Sequence, residues 1–433
     1  MSVNTYDVNL LIFDLDGTIM SSLKPTYEAI KRAFRKLSLP VQVSESEIEK
    51  YFGASSDEFY QAITPLDRLS MWQEVRTEVR QEYESTLRDY GNTFPRVKET
   101  LTTLRKRGYG LILYSNSSVR WFKSSISACH LEGFFDYAEC VEENGLTKTD
   151  LIRKFIKKFG NPKVAIIGDR IHDIQAARET NSLSIGVLFG YGGKEPEEAD
   201  ITIAEFSALL NIFDRRLPIF EQVLREIDRR KQEKKAFVVG ITGVDVSGKT
   251  RFTESFARFL TSNGRNVQVI NLDNFHNPQQ VRYSGENQAE NYYNKSFDIN
   301  AIVERLLIPI KQRGRHSVKL TLLDLHTNKY EVDREFSFGE NTIVLFEGVF
   351  LLRKELSPYI DYKIFIDVPF EESKNRAKNR DVPIYGDVIL CRYDEKYFLA
   401  QRKYLDEYPP SEIADMIVDN TNWEYPRVTY LRE

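Results

Sequence analysis

Leu10–Ile19 reads LLIFDLDGTI, and Phe237–Phe252 reads FVVGITGVDVSGKTRF. Each opens as an apolar run of strand length and closes in a glycine-bearing turn that carries charge, Asp14-Leu15-Asp16-Gly17 in the first and Gly243–Thr250 in the second. Apolar runs without alternation suit strands buried on both faces, the setting of a parallel sheet covered by helices. Working outward, similar runs follow the first stretch at Leu111–Ser115, Val164–Gly168 and Ile185–Leu188, and the second at Val267–Leu272, Ile343–Phe346 and Lys363–Val368. Helical patterns separate them. The expected fold class is therefore α/β, with two doubly wound parallel-sheet domains in tandem. A chain of 433 residues also exceeds the ~250–300 residues at which single cores stop growing.

The expected boundaries are a first domain over 1–210, a helical connector over 211–235 and a second domain over 236–433. In the connector Pro218 can start a helix, Phe220, Val223, Leu224 and Ile227 form an apolar stripe, and DRRKQEKK follows as a solvated end. Residues 21–90 read as a helical insertion after the first strand, with Tyr27, Ile30 and Phe34 on one face. An insertion that long at a βα loop is usually functional, so we expect a cap over the end of the strand.

Hydrophobic residues are 41% and charged residues 29% of the chain, enough apolar surface for a core in each half. Lys+Arg number 60 against Asp+Glu 64, a net charge of -4, so no global basic field exists to hold nucleic acid. Cys129, Cys140 and Cys391 are too scattered for a disulfide framework and are expected as small buried side chains in a reducing compartment. The N-terminus runs straight into a strand pattern, and no apolar run approaches the ~20 residues of a membrane span. A cytoplasmic protein is expected, with neither membrane nor nucleic acid as partner and oligomer formation left open.

Asp14 and Asp16 lie two apart at the end of a buried strand and so project on one face, at the edge where open parallel sheets bind ligands. Two neighbouring carboxylates repel, and Mg²⁺ with its preference for oxygen ligands is the natural compensation. The motifs DLDGT at Asp14–Thr18, YSNSS around Ser115 and Asn116, LTKTDLI with Lys148 and IIGDRIHDI with Asp169 and Asp173 follow in order over the first half. With FPRVKETLTTLRKRGYGLILYSN and IGVLFGYGGKEPEEADITI, this half resembles the haloacid dehalogenase (HAD) superfamily, specifically phosphoglycolate-phosphatase-like members with a helical cap.

The resemblance implies that Asp14 attacks phosphorus to give an aspartyl phosphate, and that Asp16 acts as acid and then base. Ser115 and Lys148 would hold the transferring phosphoryl oxygens. Mg²⁺ would be held by Asp14, Asp169 and the Leu15 carbonyl, with Asp16 and Asp173 completing or orienting the metal shell. Dehalogenation is disfavoured because it needs no acid at Asp16. Arg170 is either an ion-pair partner or a substrate contact, and His172 is expected to be structural. The cap segment YFGASSDEF, with Gly53, Ser55 and Ser56, resembles the place where capped relatives read the leaving group.

The second stretch matches GxxxxGK[ST] from Gly243 to Thr250, directly after a strand and ahead of a helix with Phe252, Phe256 and Phe259 on one face. Gly243, Ser247 and Gly248 would let backbone N–H groups cradle phosphates. Lys249 would reach the β- and γ-phosphates and Thr250 would ligate Mg²⁺, so ATP or GTP is the expected ligand. The next strand, VQVINLDNFH, ends at Asp273, where a carboxylate can take a proton from a hydroxyl acceptor. It is expected to neighbour the Phe237 strand directly.

Together with NYYNKSFDINAIVERL, IVLFEGVFLL, SKNRAKNRD and ADMIVDN, these features make the second half similar to the uridine kinase and phosphoribulokinase family. The resemblance implies Asp273 as general base, Glu347 near Mg²⁺, and Arg376 and Arg380 closing on the phosphates. His276 stands where relatives carry Tyr, and LDLHTNKYE departs from the segment that holds the nucleoside. His326 is either an acceptor contact or a loop residue.

The expected protein is a bifunctional enzyme, an Mg²⁺-dependent phosphomonoesterase joined to an ATP-dependent kinase for a nucleoside or sugar, each acting on small molecules. A polynucleotide end-healing kinase-phosphatase is the alternative, disfavoured by the net charge and the long cap. A nucleotide-sensing protein with one inactive domain is the third reading.

Overall fold

The computed structural model describes residues 5–52, 56–231, 235–312 and 315–432. They form two compact units, Met1–Asp214 and Arg215–Glu433.

In the first unit strand Val8–Asp14 is buried at every position but Asn9. It lies inside a six-stranded sheet in the order Tyr137–Cys140, Gly110–Ser115, Val8–Asp14, Lys163–Gly168, Leu183–Val187, Ile201–Ile203. All pairings are parallel. Successive residues feed opposite faces: Leu11 and Phe13 join one core with Leu113 and Ile167, while Leu10 and Ile12 join the other with Ile112 and Ile166. This two-sided burial is why the strands read as unbroken apolar runs. The strand order reverses at Val8–Asp14, and Asp14 and Asp169 emerge there at adjacent carboxyl ends, where a crevice is expected.

The insertion is tied at its neck by a short antiparallel pair, Met20 with Thr93 and Ser21 with Asn92. Within it, helices Leu23–Lys36, Glu45–Glu49, Ser56–Ile63 and Trp72–Tyr90 follow in turn. Ile30, Ala33 and Phe34 of the first pack with Val75, Val79 and Leu87 of the last in the core. Each large apolar side chain buried in this way contributes about 1.5–3 kcal/mol. Gly53 and Ser55 lie outside the described residues.

The second unit carries another six-stranded sheet, in the order Val267–Asn271, Ile343–Glu347, Phe237–Gly243, Tyr362–Asp367, Met416–Asp419, Arg427–Leu431. Only the last pairing is antiparallel. The expected neighbour relation is corrected here: Ile343–Glu347 lies between the Phe237–Gly243 strand and the strand leading to Asp273. A separate hairpin pairs His316–Asp324 with Lys329–Phe338.

The expected connector contains a helix that packs on the second unit. That helix, Leu217–Arg230, buries Ile219, Phe220, Val223 and Ile227 in the core of the second unit. The Phe220 ring stands 5.1 Å from both Phe252 and Phe256 of the helix that follows the Gly243–Thr250 loop. Cys129 and Cys140 are buried, but Cys391 is exposed on helix Val388–Arg392, so the expectation that all three are interior fails there. Among the described residues no helix is long and apolar enough to cross a membrane.

Candidate active sites

In the first unit three buried carboxylates converge: ligand atoms of Asp14, Asp169 and Asp173 all lie within 4.8 Å of one another. Lys148, at the start of helix Lys148–Lys158, puts its Nζ 2.9 Å from Asp14 Oδ1 and 2.7 Å from Asp173 Oδ1. Tyr114, on strand Gly110–Ser115, donates its hydroxyl to the same Asp173 oxygen. Asp173 Oδ2 accepts the Arg170 backbone N–H at 3.2 Å, so both Asp173 oxygens are engaged within the protein, the arrangement of an orienting carboxylate. Asp169 Oδ2 accepts the Tyr191 backbone N–H at 2.6 Å. Gly17, at φ +80°, makes room for it: a Cβ there would lie 2.3 Å from Asp169 Oδ2.

One ammonium does not balance three buried carboxylates. Burial pushes Asp14 well above the usual carboxylate range, Asp173 and Asp169 add to that push, and Lys148 opposes it. Asp169 is pushed up to about 7, by burial first and then by Asp173. Burial works against the Lys148 charge, yet Asp14 and Asp173 outweigh it and hold its pKa above the ordinary value. This surplus of negative charge among oxygen ligands fits a divalent cation. The Leu15 carbonyl, expected in such a shell, is engaged by the backbone. It accepts the backbone N–H groups of Ile19 and Met20, at 3.0 and 2.9 Å, and closes the turn.

Asp16 stands apart from the cluster. Its Oδ1 accepts Trp121 Nε1–H at 3.0 Å and its Oδ2 the Ser115 hydroxyl at 3.3 Å, so its side chain is not among the gathered metal-ligating groups. Burial raises its carboxyl despite those donors. A cleft of about 120 Å³ opens over Asp14, Asp16, Ser115 and Lys148, roofed by Phe52, Ser56 and Arg80 of the insertion. Arg170 pairs with Glu195 at 2.9 Å, and His172 is exposed. Trp121 and Tyr114 escaped the sequence reading because an isolated aromatic in a buried pattern looks like core.

In the second unit the Gly243–Thr250 loop joins strand Phe237–Gly243 to helix Lys249–Ser262. Gly248, at φ +96°, allows the turn, and a Cβ there would stand 2.7 Å from Asn420 Nδ2, whose amide bonds Ser247 O at the same distance. Lys249 Nζ bonds Val244 O at 2.8 Å, and burial lowers its pKa. Thr250 donates to Glu347 Oε1 at 3.2 Å, while Glu347 Oε2 is buried with no hydrogen-bond partner among the described residues. An orphaned acidic oxygen beside a hydroxyl fits a divalent cation.

Lys249, Thr250, Asp273, Glu347, Arg376 and Arg380 line one cavity of about 820 Å³. Asp273 is exposed, and Asn271 caps its turn by accepting the Asp273 N–H at 2.8 Å. The Asp273 carboxylate is thus not the group that builds the turn. Both arginines are already engaged: Arg376 with Glu372 and with the Asn420 and Thr421 carbonyls, Arg380 with Asp381 and Tyr393. Trp423, with the Arg251 guanidinium 5.2 Å from its ring centroid, and Asp245 share the cavity and were not foreseen. His276 packs on Phe297 and burial lowers its pKa, while exposed His326 sits in the hairpin turn.

A family model described as haloacid dehalogenase-like hydrolase matches residues 11–187. The first half is similar to haloacid dehalogenase-like hydrolases. The phosphoglycolate phosphatase of Vibrio vulnificus (strain YJ016) is 26% identical to this HAD-like half over 224 residues, covering 48% of the chain and 96% of that protein. The second half is similar to uridine kinases: that of Limosilactobacillus reuteri (strain DSM 20016) is 25% identical over 193 residues, covering 43% of the chain and 85% of that protein. Among solved structures, a predicted phosphoglycolate phosphatase from Haemophilus somnus 129pt aligns at 23% identity and TM-score 0.43, over 48% of this chain and 98% of that one. A possible uridine kinase from Bacillus stearothermophilus aligns at 23% identity and TM-score 0.38, over 47% and 98%.

Proposed function

We propose that the chain is bifunctional: its HAD-like half hydrolyses a small phosphate ester through an aspartyl phosphate, and its uridine-kinase-like half transfers the γ-phosphate of ATP to a nucleoside or sugar hydroxyl. The observation that carries the first activity is the placement of Asp14, Lys148 and Asp16 around one capped cleft. Lys148 and Ser115 hold the phosphoryl oxygens, and Lys148 offsets the charge they gain. Asp14 Oδ2, free of any donor among the described residues, forms the new bond to phosphorus as the ester oxygen leaves. Asp16, whose carboxyl burial raises, gives that oxygen its proton, then takes one from the water that releases phosphate. Asp14 and Asp169 would hold Mg²⁺, with Asp173 orienting Lys148 beside them, and the ion would supply charge neutralisation for phosphate and nucleophile together. The narrow cleft under the cap suits small esters and disfavours a polymer.

In the kinase-like half Lys249 and the loop backbone bind the ATP phosphates, with Thr250 and Glu347 placed to hold Mg²⁺. Asp273 takes the proton of the acceptor hydroxyl while its oxygen bonds to the γ-phosphorus and ADP leaves. Phosphate release from phosphoglycolate and p-nitrophenyl phosphate, alongside ATP-dependent labelling of uridine and ribose, tests the reading. Absence of both activities in the presence of Mg²⁺ overturns it, and preference for a 3′-phosphorylated oligonucleotide replaces it with end healing.

A further inference from the structure

The phosphate-loop sequence contains a carboxylate of its own, Asp245. Its backbone is anchored at both polar groups: the N–H donates to Gln401 Oε1 at 3.1 Å, and the carbonyl accepts the Ser373 hydroxyl. Its side chain is anchored through one oxygen only. Oδ2 accepts Tyr292 OH at 3.0 Å and Gln401 Nε2–H at 2.6 Å, whereas no described residue donates to Oδ1. Tyr292 is itself fixed, its ring centroid 5.4 Å from that of Phe350 and 4.9 Å from that of Tyr397. The half-buried Asp245 carboxylate thus lines the cavity shared by Lys249, Asp273 and Glu347 with one acceptor oxygen unfilled.

Phosphate cannot fill that place. Phosphate oxygens are acceptors and anionic, so they offer Oδ1 no hydrogen and repel its charge. A hydroxyl or N–H of the second substrate has the hydrogen that this oxygen can accept. Asp273 lines the same cavity; burial raises the Asp245 carboxyl, the Lys249 charge opposes that rise and the Asp273 charge adds to it. Transfer needs one base at the reacting hydroxyl. With Asp273 placed as that base and Glu347 beside Thr250, the Asp245 carboxylate is left for a group that does not react.

Resting on the kinase reading, we infer that Asp245 binds a second, non-reacting hydroxyl of the phosphoryl acceptor, so that the acceptor is a polyol such as a sugar or nucleoside ring with neighbouring hydroxyls. Asp245 is then a specificity-determining residue, and Tyr292 and Gln401 are its positioning residues.

Full-length wild type, Asp245→Ala, Asp245→Asn and Tyr292→Phe are compared with uridine, its 2′-deoxy and 3′-deoxy forms, and ribose as acceptors, with ATP affinity read separately by equilibrium binding. Loss of a charge-assisted hydrogen bond should raise the acceptor KM by roughly tenfold or more in Asp245→Ala and by less in Asp245→Asn, with ATP affinity unchanged or tighter. One deoxy form should be disfavoured by wild type and no longer disfavoured by Asp245→Ala, a change that a purely structural role does not produce. Tyr292→Phe should shift the acceptor KM in the same direction and to a smaller degree. If Asp245→Ala is insoluble, the same discrimination ratio is read in Asp245→Asn. Unchanged discrimination, or parallel loss of acceptor and ATP binding, overturns the inference while leaving the kinase reading in place. Wild-type transfer to none of these acceptors overturns the kinase reading and this inference with it.

Discussion

Lys148 Nζ lies 2.9 Å from Asp14 Oδ1, although 134 residues separate the two in sequence. Lys148 is the one described donor to the carboxylate we place as nucleophile. Lys148→Met should therefore lower phosphate release by roughly 100- to 1,000-fold, the scale seen when a donor to developing charge is removed. Steady-state release from p-nitrophenyl phosphate measures it, and a change of less than about tenfold would move phosphoryl stabilisation elsewhere.

The carboxylate cluster links cation binding to pH. Without a cation Asp169 keeps its proton up to about pH 7, while in the unfolded chain it loses it near pH 4. Native protein then binds more protons than unfolded protein across that interval, so stability of the cation-free unit falls as pH rises through it. On the proposed reading Mg²⁺ would replace the proton and reverse the loss. The Mg²⁺-induced rise in Tm should be larger at about pH 8 than at about pH 5.5, and the difference should vanish in Asp169→Asn. An Mg²⁺ effect independent of pH would contradict the cluster as its site.

Trp423 is the single tryptophan in the second unit, Trp72 and Trp121 being in the first. Because Trp423 lines the cavity with Lys249 and Thr250, ATP with Mg²⁺ should change its fluorescence saturably. The change should disappear in Trp423→Phe and need far more ATP in Lys249→Ala. A signal that survives Trp423→Phe would place the nucleotide elsewhere.

Phe220 makes the helix Leu217–Arg230 part of the second core. Truncating this buried ring to alanine should cost about 3–5 kcal/mol. Hydrogen exchange in strand Phe237–Gly243 reads the loss. Unchanged protection there would return the segment to the role of a connector.

Local pattern carried much of this into the sequence. Two-sided burial of Leu10–Phe13 and Phe237–Ile241 leaves an apolar run that can be read directly, and the charged turns that follow mark the sites. Strand order is not local, so the insertion of Ile343–Glu347 between the Phe237–Gly243 strand and the approach to Asp273 was invisible. The Asp245 partners, Tyr292 and Gln401, are brought to it by tertiary packing alone. Short strands such as Tyr137–Cys140 and Ile201–Ile203 carry too few residues to show a period. The Phe220 stripe announced a helix, but a stripe does not say which core it will join.

The central claim is that one chain carries two chemistries on separate residues, and paired assays on single variants test it most directly. Phosphate release from a small ester and γ-phosphate transfer from ATP are measured on the same preparations of wild type, Asp14→Asn and Asp273→Asn. An amide is a poor nucleophile, so Asp14→Asn should abolish release and leave transfer near wild type. Asp273→Asn should lower the kcat of transfer and leave both ATP affinity and phosphate release intact. Phosphate release that persists in Asp14→Asn, or transfer that falls with it, would contradict the account.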